Sequence, residues 1–229
     1  MAMPLTIISS MATKALLADL LAQYATRSSQ AVTVESVGGI DAAKRVQAGE
    51  AFDLVVLAGN AIGQLTEAGK LVAGSRADIV RSGVAIAVRA GAPRPAIATE
   101  DDIKQAVMKA SSLSYSTGPS GVALAKLFER WGIADEIASR IVQAPPGVPV
   151  GSLVADGRVE LGFQQLSELM SLPGIDVLGP LPDAIQIITT FSGGVSVTST
   201  QADAARALLA FMASPAVVET KRRNGMEPA

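Results

Sequence analysis

Apolar positions along the chain follow two alternating rhythms. Short runs dense in Val, Ile and Leu alternate with longer stretches in which apolar residues recur at helical spacing. The first run, Leu5–Ile8, ends at Ser9-Ser10. A long helical stretch follows it, with Ala15, Leu16, Leu17, Leu20, Leu21 and Tyr24 in register. Val32–Val37 reads as the second strand. Gly38-Gly39 then opens a helix carrying Ala42, Ala43 and Val46, and Gly49 stops it. Asp53–Leu57 is almost wholly apolar, as suits a strand inside a parallel sheet. Ala58-Gly59-Asn60 leads into a further helix with Ile62 and Leu65, ended by Gly69. The order up to Gly69 is therefore β-α-β-α-β-α, which predicts an open α/β sheet.

The same style continues after a break. Val84–Arg89 is extended, and Ala90–Pro95 is a Pro/Gly-rich boundary into a second lobe. Thr99, with Asp102 three residues on, marks a helix start. A short strand, Leu113–Ser116, meets the turn at Gly118-Pro119. A helix follows with Val122, Leu124, Ala125, Leu127 and Phe128, closed by Trp131-Gly132. Pro145-Pro146-Gly147 introduces a short segment, Val148–Ala155. Val159–Phe163 reads as a strand with Gln164-Gln165 at its carboxyl end and a helix over 165–171. Ile175–Leu178 is another strand. Ala184–Val197 is a long β-rich run broken by Gly193-Gly194, returning to the first lobe. Gln201–Ala213 is a helix packing Leu208, Leu209 and Phe211, and Ser214-Pro215 caps a final amphipathic one. The expectation is two lobes, 1–83 with 192–229 and 84–191, each an open mixed sheet flanked by helices, with a ligand cleft between them.

Chemistry is expected where strands hand over to helices. In open α/β sheets ligands bind beyond the carboxyl ends of the strands. A helix start there offers unpaired N–H groups and the positive end of its dipole to an anion. Ser9 or Ser10, Gly38 and Gly39, and Asn60 occupy such turns in the first lobe; Thr117, Ser120, Gly121, Pro149, Gln164 and Gln165 do so in the second. Plainer roles are available for several. Ser120 serves equally as a helix cap. Gln164 and Gln165 read equally as surface polars beginning a helix. Lys221, Arg222 and Arg223 fall near a helix C-terminus, where cations suit the dipole, and read as structural.

Composition narrows the chemistry. Nineteen basic and 21 acidic residues give a net charge of −2, and aromatics make up 3%. That argues against a nucleic-acid surface, which needs a basic face or stacking rings. The chain has no Cys and no His. Disulfides, thiolate chemistry, His-dependent triads and the usual transition-metal ligands are excluded, and no metal or cofactor is expected. No apolar run approaches the ~20 residues of a membrane span, and the few residues ahead of the first strand are not expected to act as a signal peptide.

Four stretches together resemble the molybdate-binding periplasmic protein family, of the type II periplasmic binding protein fold. They are IISSMATKALLADLLAQY, the AAKRVQAGEAFDLVVL block, Pro119-Ser120-Gly121 at a helix start, and the terminal NGMEP. The resemblance covers essentially the whole chain. It implies an oxyanion held by neutral donors, hydroxyls, helix-start N–H groups and one Tyr. The family's first Ser falls on Ser9 or Ser10, its second on Gly39, the small residue after Pro on Ser120, a backbone donor around Val148 or Pro149, and the Tyr on Gln165. Gly39 has no hydroxyl, Pro149 has no N–H and Gln165 is no phenol, which points to a larger or differently shaped anion. The resemblance implies a monomeric solute-binding protein serving an ABC-type membrane transporter, periplasmic if a leader has been removed and otherwise cytoplasmic. Aconitate isomerase is also similar to this family. The alternative is therefore an enzyme that shifts a proton in a small unsaturated carboxylic acid, using an Asp, Glu, Lys or Tyr as base. Glu35, Asp41, Lys14 and Lys44 lie near the turns, but residues of these types are mostly solvated.

Overall fold

The computed structural model describes residues 3–145 and 147–229; Met1, Ala2 and Pro146, the middle of the expected Pro-Pro-Gly turn, lie outside the described residues. The elements run β1 (Leu5–Ser10), α1 (Lys14–Ala25), β2 (Val32–Val37), α2 (Gly39–Gln47), β3 (Leu54–Ala58), α3 (Gly59–Glu67), β4 (Ala77–Arg89) and α4 (Glu100–Lys109). They continue with β5 (Leu113–Tyr115), α5 (Pro119–Arg130), α6 (Ala134–Ile137), α7 (Val150–Ala155), β6 (Leu161–Gln165), α8 (Leu166–Leu169) and β7 (Ile175–Pro180). The last are β8 (Ile188–Val195), α9 (Ala202–Ala213), α10 (Val218–Arg223) and β9 (Glu227–Pro228). The chain forms two compact units: one holds residues up to Arg81 together with Thr190–Ala229, the other Ser82–Thr189.

In the first unit β1 lies between β2 and β3, parallel to both, and β8 runs antiparallel to β3. Side chains alternate across a strand, and here both faces are covered. Leu5 and Ile7 of β1 and Leu54 and Val56 of β3 pack with Leu16, Leu17 and Leu20 of α1 and Leu208, Leu209 and Met212 of α9. Ile8, Val55 and Leu57 pack on the opposite side with Ala42 and Val46 of α2 and Ile62 and Leu65 of α3. Double burial explains why β3 shows no polar alternation. Gly193-Gly194 does not break β8. A Cβ at Gly193 would stand 2.5 Å from Leu209 Cδ1, and one at Gly194 2.8 Å from Leu71 Cδ1, so the glycines admit neighbours on both faces of a continuous strand.

In the second unit β6 and β7 both pair antiparallel with β4, and β5 runs parallel to β6. Val84, Ile86 and Val88 of β4 pack with Ile103 and Val107 of α4, Leu124 and Phe128 of α5, and Phe163 of β6. Phe128 meets the rings of Tyr115, Trp131 and Phe163 with centroids 5.8–6.2 Å apart. On the other face Ala85 and Ala87 meet Leu169, while α7 buries Val150, Leu153 and Val154. Thr99 and Asp102 form the reciprocal capping box their spacing suggested.

Several boundaries differ from the expectation. β4 begins at Ala77, seven residues before the apolar run, because Arg81, Ser82 and Gly83 interrupt the pattern while the ladder continues. β6 is displaced toward its carboxyl end, since Gln164 and Gln165 pair with Ala85 and Val84. The following helix is only Leu166–Leu169. β8 begins at Ile188, after a 3-10 turn at Asp183–Ile185. Ser214 does not cap the last helix; its hydroxyl donates back to the Phe211 carbonyl, and a 3-10 turn precedes α10.

Candidate functional site

The parallel arrangement of β2, β1 and β3 places the starts of the helices that follow them at one edge of the first unit. The two serines ending β1 have different surroundings. Ser9 is fully buried, and its hydroxyl meets that of Ser36 across the β1–β2 pair at 2.8 Å. Ser10 is half-buried and accepts the Ala12 N–H at 3.3 Å, capping a 3-10 turn at Met11–Thr13 that precedes α1. Gly38 is the N-cap of α2 and brings no side chain to cap it. A Cβ on Gly39 would lie 3.7 Å from Ser10 Oγ, so Ser10 and Gly39 are brought together. At the start of α3 the N-cap is Ala58, again without a side-chain cap, and Asn60 is exposed in the first turn.

A polar cluster not singled out in the sequence adjoins that third start. Arg76 donates to the Gly59 carbonyl at 3.3 Å and to Asp78 at 2.9 Å, and the buried Ser192 hydroxyl donates to the same Asp78 oxygen at 2.6 Å. The Ser192 and Arg76 hydrogen bonds hold the Asp78 carboxyl below its ordinary range. Arg76 and Asp78 are two residues apart, but Ser192 lies 114 residues from Asp78 and only folding brings it to them.

In the second unit α5 starts from the N-cap Gly118, with Pro119 and Ser120 already inside it. Ser120 is therefore not the cap. It is buried in the first turn, its hydroxyl 3.2 Å from that of Ser116. A Cβ on Gly121 would fall 1.6 Å from the Ser116 carbonyl oxygen, so the loop lies directly over this helix start. Thr117 is exposed on that loop. Pro149 is the N-cap of α7, a place that needs no N–H, and its carbonyl accepts from Ser152.

Gln164 and Gln165 are not surface polars; both are buried in β6. As neighbours on a strand they point to opposite faces. Gln165 donates to the Thr189 hydroxyl at 2.9 Å, and its Oε1 is buried with no partner among the described residues. Gln164 accepts the Gly151 N–H at 3.2 Å and donates to Glu168 Oε1 at 2.9 Å. Burial pushes the Glu168 carboxyl up to about 7, against the opposing effect of the Gln164 hydrogen bond. The sequence offered one faint signal for Glu168, its four-residue spacing from Gln164 across a strand end. The acids and bases named from the sequence stand differently. Lys14, Asp41 and Lys44 are exposed, and Arg45 holds the Glu35 carboxyl below its ordinary range.

These features define a class: a two-unit α/β protein of the type II periplasmic binding protein fold, whose helix starts carry glycines, hydroxyls and amides. The sequence profile of the bacterial extracellular solute-binding protein family matches residues 5–227, and the chain belongs to that family. An aconitate isomerase of Pseudomonas sp is 40% identical over 185 residues, 80% of this chain and 70% of that protein. The periplasmic molybdate-binding protein of Azotobacter vinelandii superposes with a TM-score of 0.80 at 19% identity, over 97% of this chain and 98% of that one. The substrate-binding domain of a putative molybdenum ABC transporter from Clostridium difficile gives 0.76 at 18% identity, with both chains covered completely. At such identities the two structural likenesses establish the fold, whereas the isomerase is a relative in sequence.

Proposed function

We propose that this protein binds a small unsaturated di- or tricarboxylate and interconverts its double-bond isomers, in the manner of its aconitate isomerase relative. The observation that carries the reading is the pairing of two features. The starts of α2 at Gly39 and of α5 at Pro119-Ser120 suit anionic groups with no cationic residue in their first turns, and Arg76 adds a guanidinium beside the start of α3 at Gly59. In the second unit the parallel pair β5–β6 puts the start of α5 and the turn α8 at one sheet edge, and α8 carries a carboxyl, Glu168, with no ion-pair partner among the described residues, held to a buried amide. A plain oxyanion carrier has no use for a second negative charge; a proton shift needs a base. The missing hydroxyl at Gly39 and the amide at Gln165 agree with a ligand other than a tetrahedral oxyanion.

A second reading is favoured by the family itself. The protein would carry a small anion without changing it and deliver it to an ABC-type membrane transporter. The same family description supports a location outside the cytoplasmic membrane for either reading.

Thermal melting with molybdate, sulfate, cis-aconitate and trans-aconitate, followed by proton NMR of each aconitate isomer with the protein, tests the proposal. A ligand that binds only the folded state raises the melting temperature. The expected result is a shift with aconitate and appearance of the other isomer. A shift with molybdate and none with aconitate would overturn the isomerase reading in favour of the carrier.

A further inference from the structure

Glu168 lies on the single turn α8, three residues past the carboxyl end of β6. Its setting is fixed from behind. The Gly151 N–H engages Gln164 Oε1, which turns the amide NH2 of Gln164 toward Glu168 Oε1. No other hydrogen bond and no ion pair to Glu168 occurs among the described residues, so Oε2 is left for another partner.

The surroundings are almost free of charge. The other residues of α8 are Leu166, Ser167 and Leu169, and neither β6 nor α7 carries an ionisable side chain. Asp176 of β7 lies within reach of the Gly91 N–H at 3.3 Å. Arg89 of β4 lies against Gly157 instead. A carboxylate kept from cations and partly from water is a stronger base than one in solution, and it changes protonation state near neutral pH.

Resting on the isomerase reading above, we infer that Glu168 is the base that carries the substrate proton, and that Gln164 is the residue that positions it. In the step, a carboxylate oxygen of Glu168 takes a proton from the saturated carbon next to the double bond. The C–H pair becomes the new C=C bond. The pair of the old double bond takes the proton back from Glu168 at the far carbon. No electron leaves the substrate, and Glu168 ends as the carboxylate it began as. The negative charge that develops in between spreads onto substrate carboxylates held by neutral donors.

The test compares wild type with Glu168→Gln and Glu168→Asp, using cis- and trans-aconitate as probes. Interconversion is followed by NMR, binding by calorimetry and folding by thermal melting. Glu168→Gln is expected to bind within about threefold of wild type yet to lose about 10²–10⁴-fold in turnover. Glu168→Asp should recover part of it. For wild type, kcat/KM should rise with pH through an inflection near 7 and then level off. Gln164→Met, which removes the hydrogen bond that favours the carboxylate, should move this inflection upward, and it serves as the deciding variant if Glu168→Gln does not fold. Wild type and Glu168→Gln turning over alike, or an inflection unmoved in Gln164→Met, would overturn the role of Glu168 while leaving the isomerase reading in place. Wild type that binds aconitate but never interconverts it would overturn both.

Discussion

Burial of Glu168 has a consequence for stability as well as for chemistry. Its carboxyl holds a proton up to about pH 7 in the folded chain, against an ordinary value of 4.5. Between these values the folded state binds a proton that the unfolded state has released, so stability falls as pH rises through that window. A shift of this size corresponds to at most about 3–4 kcal/mol. Denaturant titrations from pH 4.5 to 8 should show the decline in wild type and a flatter profile in Glu168→Gln, with the variant the more stable of the two at pH 8. Two glycines make opposite predictions. A side chain at Gly39 meets only ordinary contacts with Ser10. Gly39→Ser should therefore fold with stability within about 0.5 kcal/mol of wild type. By restoring a hydroxyl beside Ser10 it should tighten molybdate binding about fivefold in calorimetry, the effect of roughly one hydrogen bond. Gly121→Ala drives a methyl into the Ser116 carbonyl. It should lower the unfolding free energy by on the order of 3 kcal/mol, read by chemical denaturation.

At the scale of elements, helices α2, α3 and α5 begin without a side-chain cap, whereas α4 begins with a complete capping box. The contrast agrees with a division of labour. The start of α4 satisfies its own N–H groups, and the other three leave theirs for something else. Thr99→Ala should cost about 1 kcal/mol by denaturation and leave aconitate affinity unchanged. Element type was legible wherever burial was uniform. β3, apolar on both faces, announces itself, and α5 shows its Leu124, Leu127 and Phe128 spacing directly. The elements misjudged are those with mixed sequence. The polar stretch at Arg81–Gly83 hid the first half of β4, and the glutamine pair read equally as ligand-facing amides or as surface polars after the strand, whereas the β4 ladder holds both residues within it.

For the whole molecule, a ligand present at a hundred times its Kd adds about 2.7 kcal/mol to the unfolding free energy. Aconitate at that excess should raise the melting temperature of wild type and of Glu168→Gln by similar amounts, because the substitution is expected to remove chemistry and keep affinity. By itself the sequence determined the α/β class, the family resemblance and the glycine-, serine- and amide-bearing helix starts. These follow from periodicity, turn residues and motifs that act over a few neighbours. It also excluded thiol and imidazole chemistry outright. Tertiary structure decided that Ser10 rather than Ser9 stands beside Gly39, since strand pairing seals Ser9 against Ser36. Pairing with β4 also buried Gln164 and Gln165. It assembled Arg76, Asp78 and Ser192, and it gave Glu168 its amide partner and its apolar surroundings. Each of these depends on which strand lies beside which, and on how far from water a side chain ends up. Those are properties of long-range packing, and no local pattern of residues encodes them.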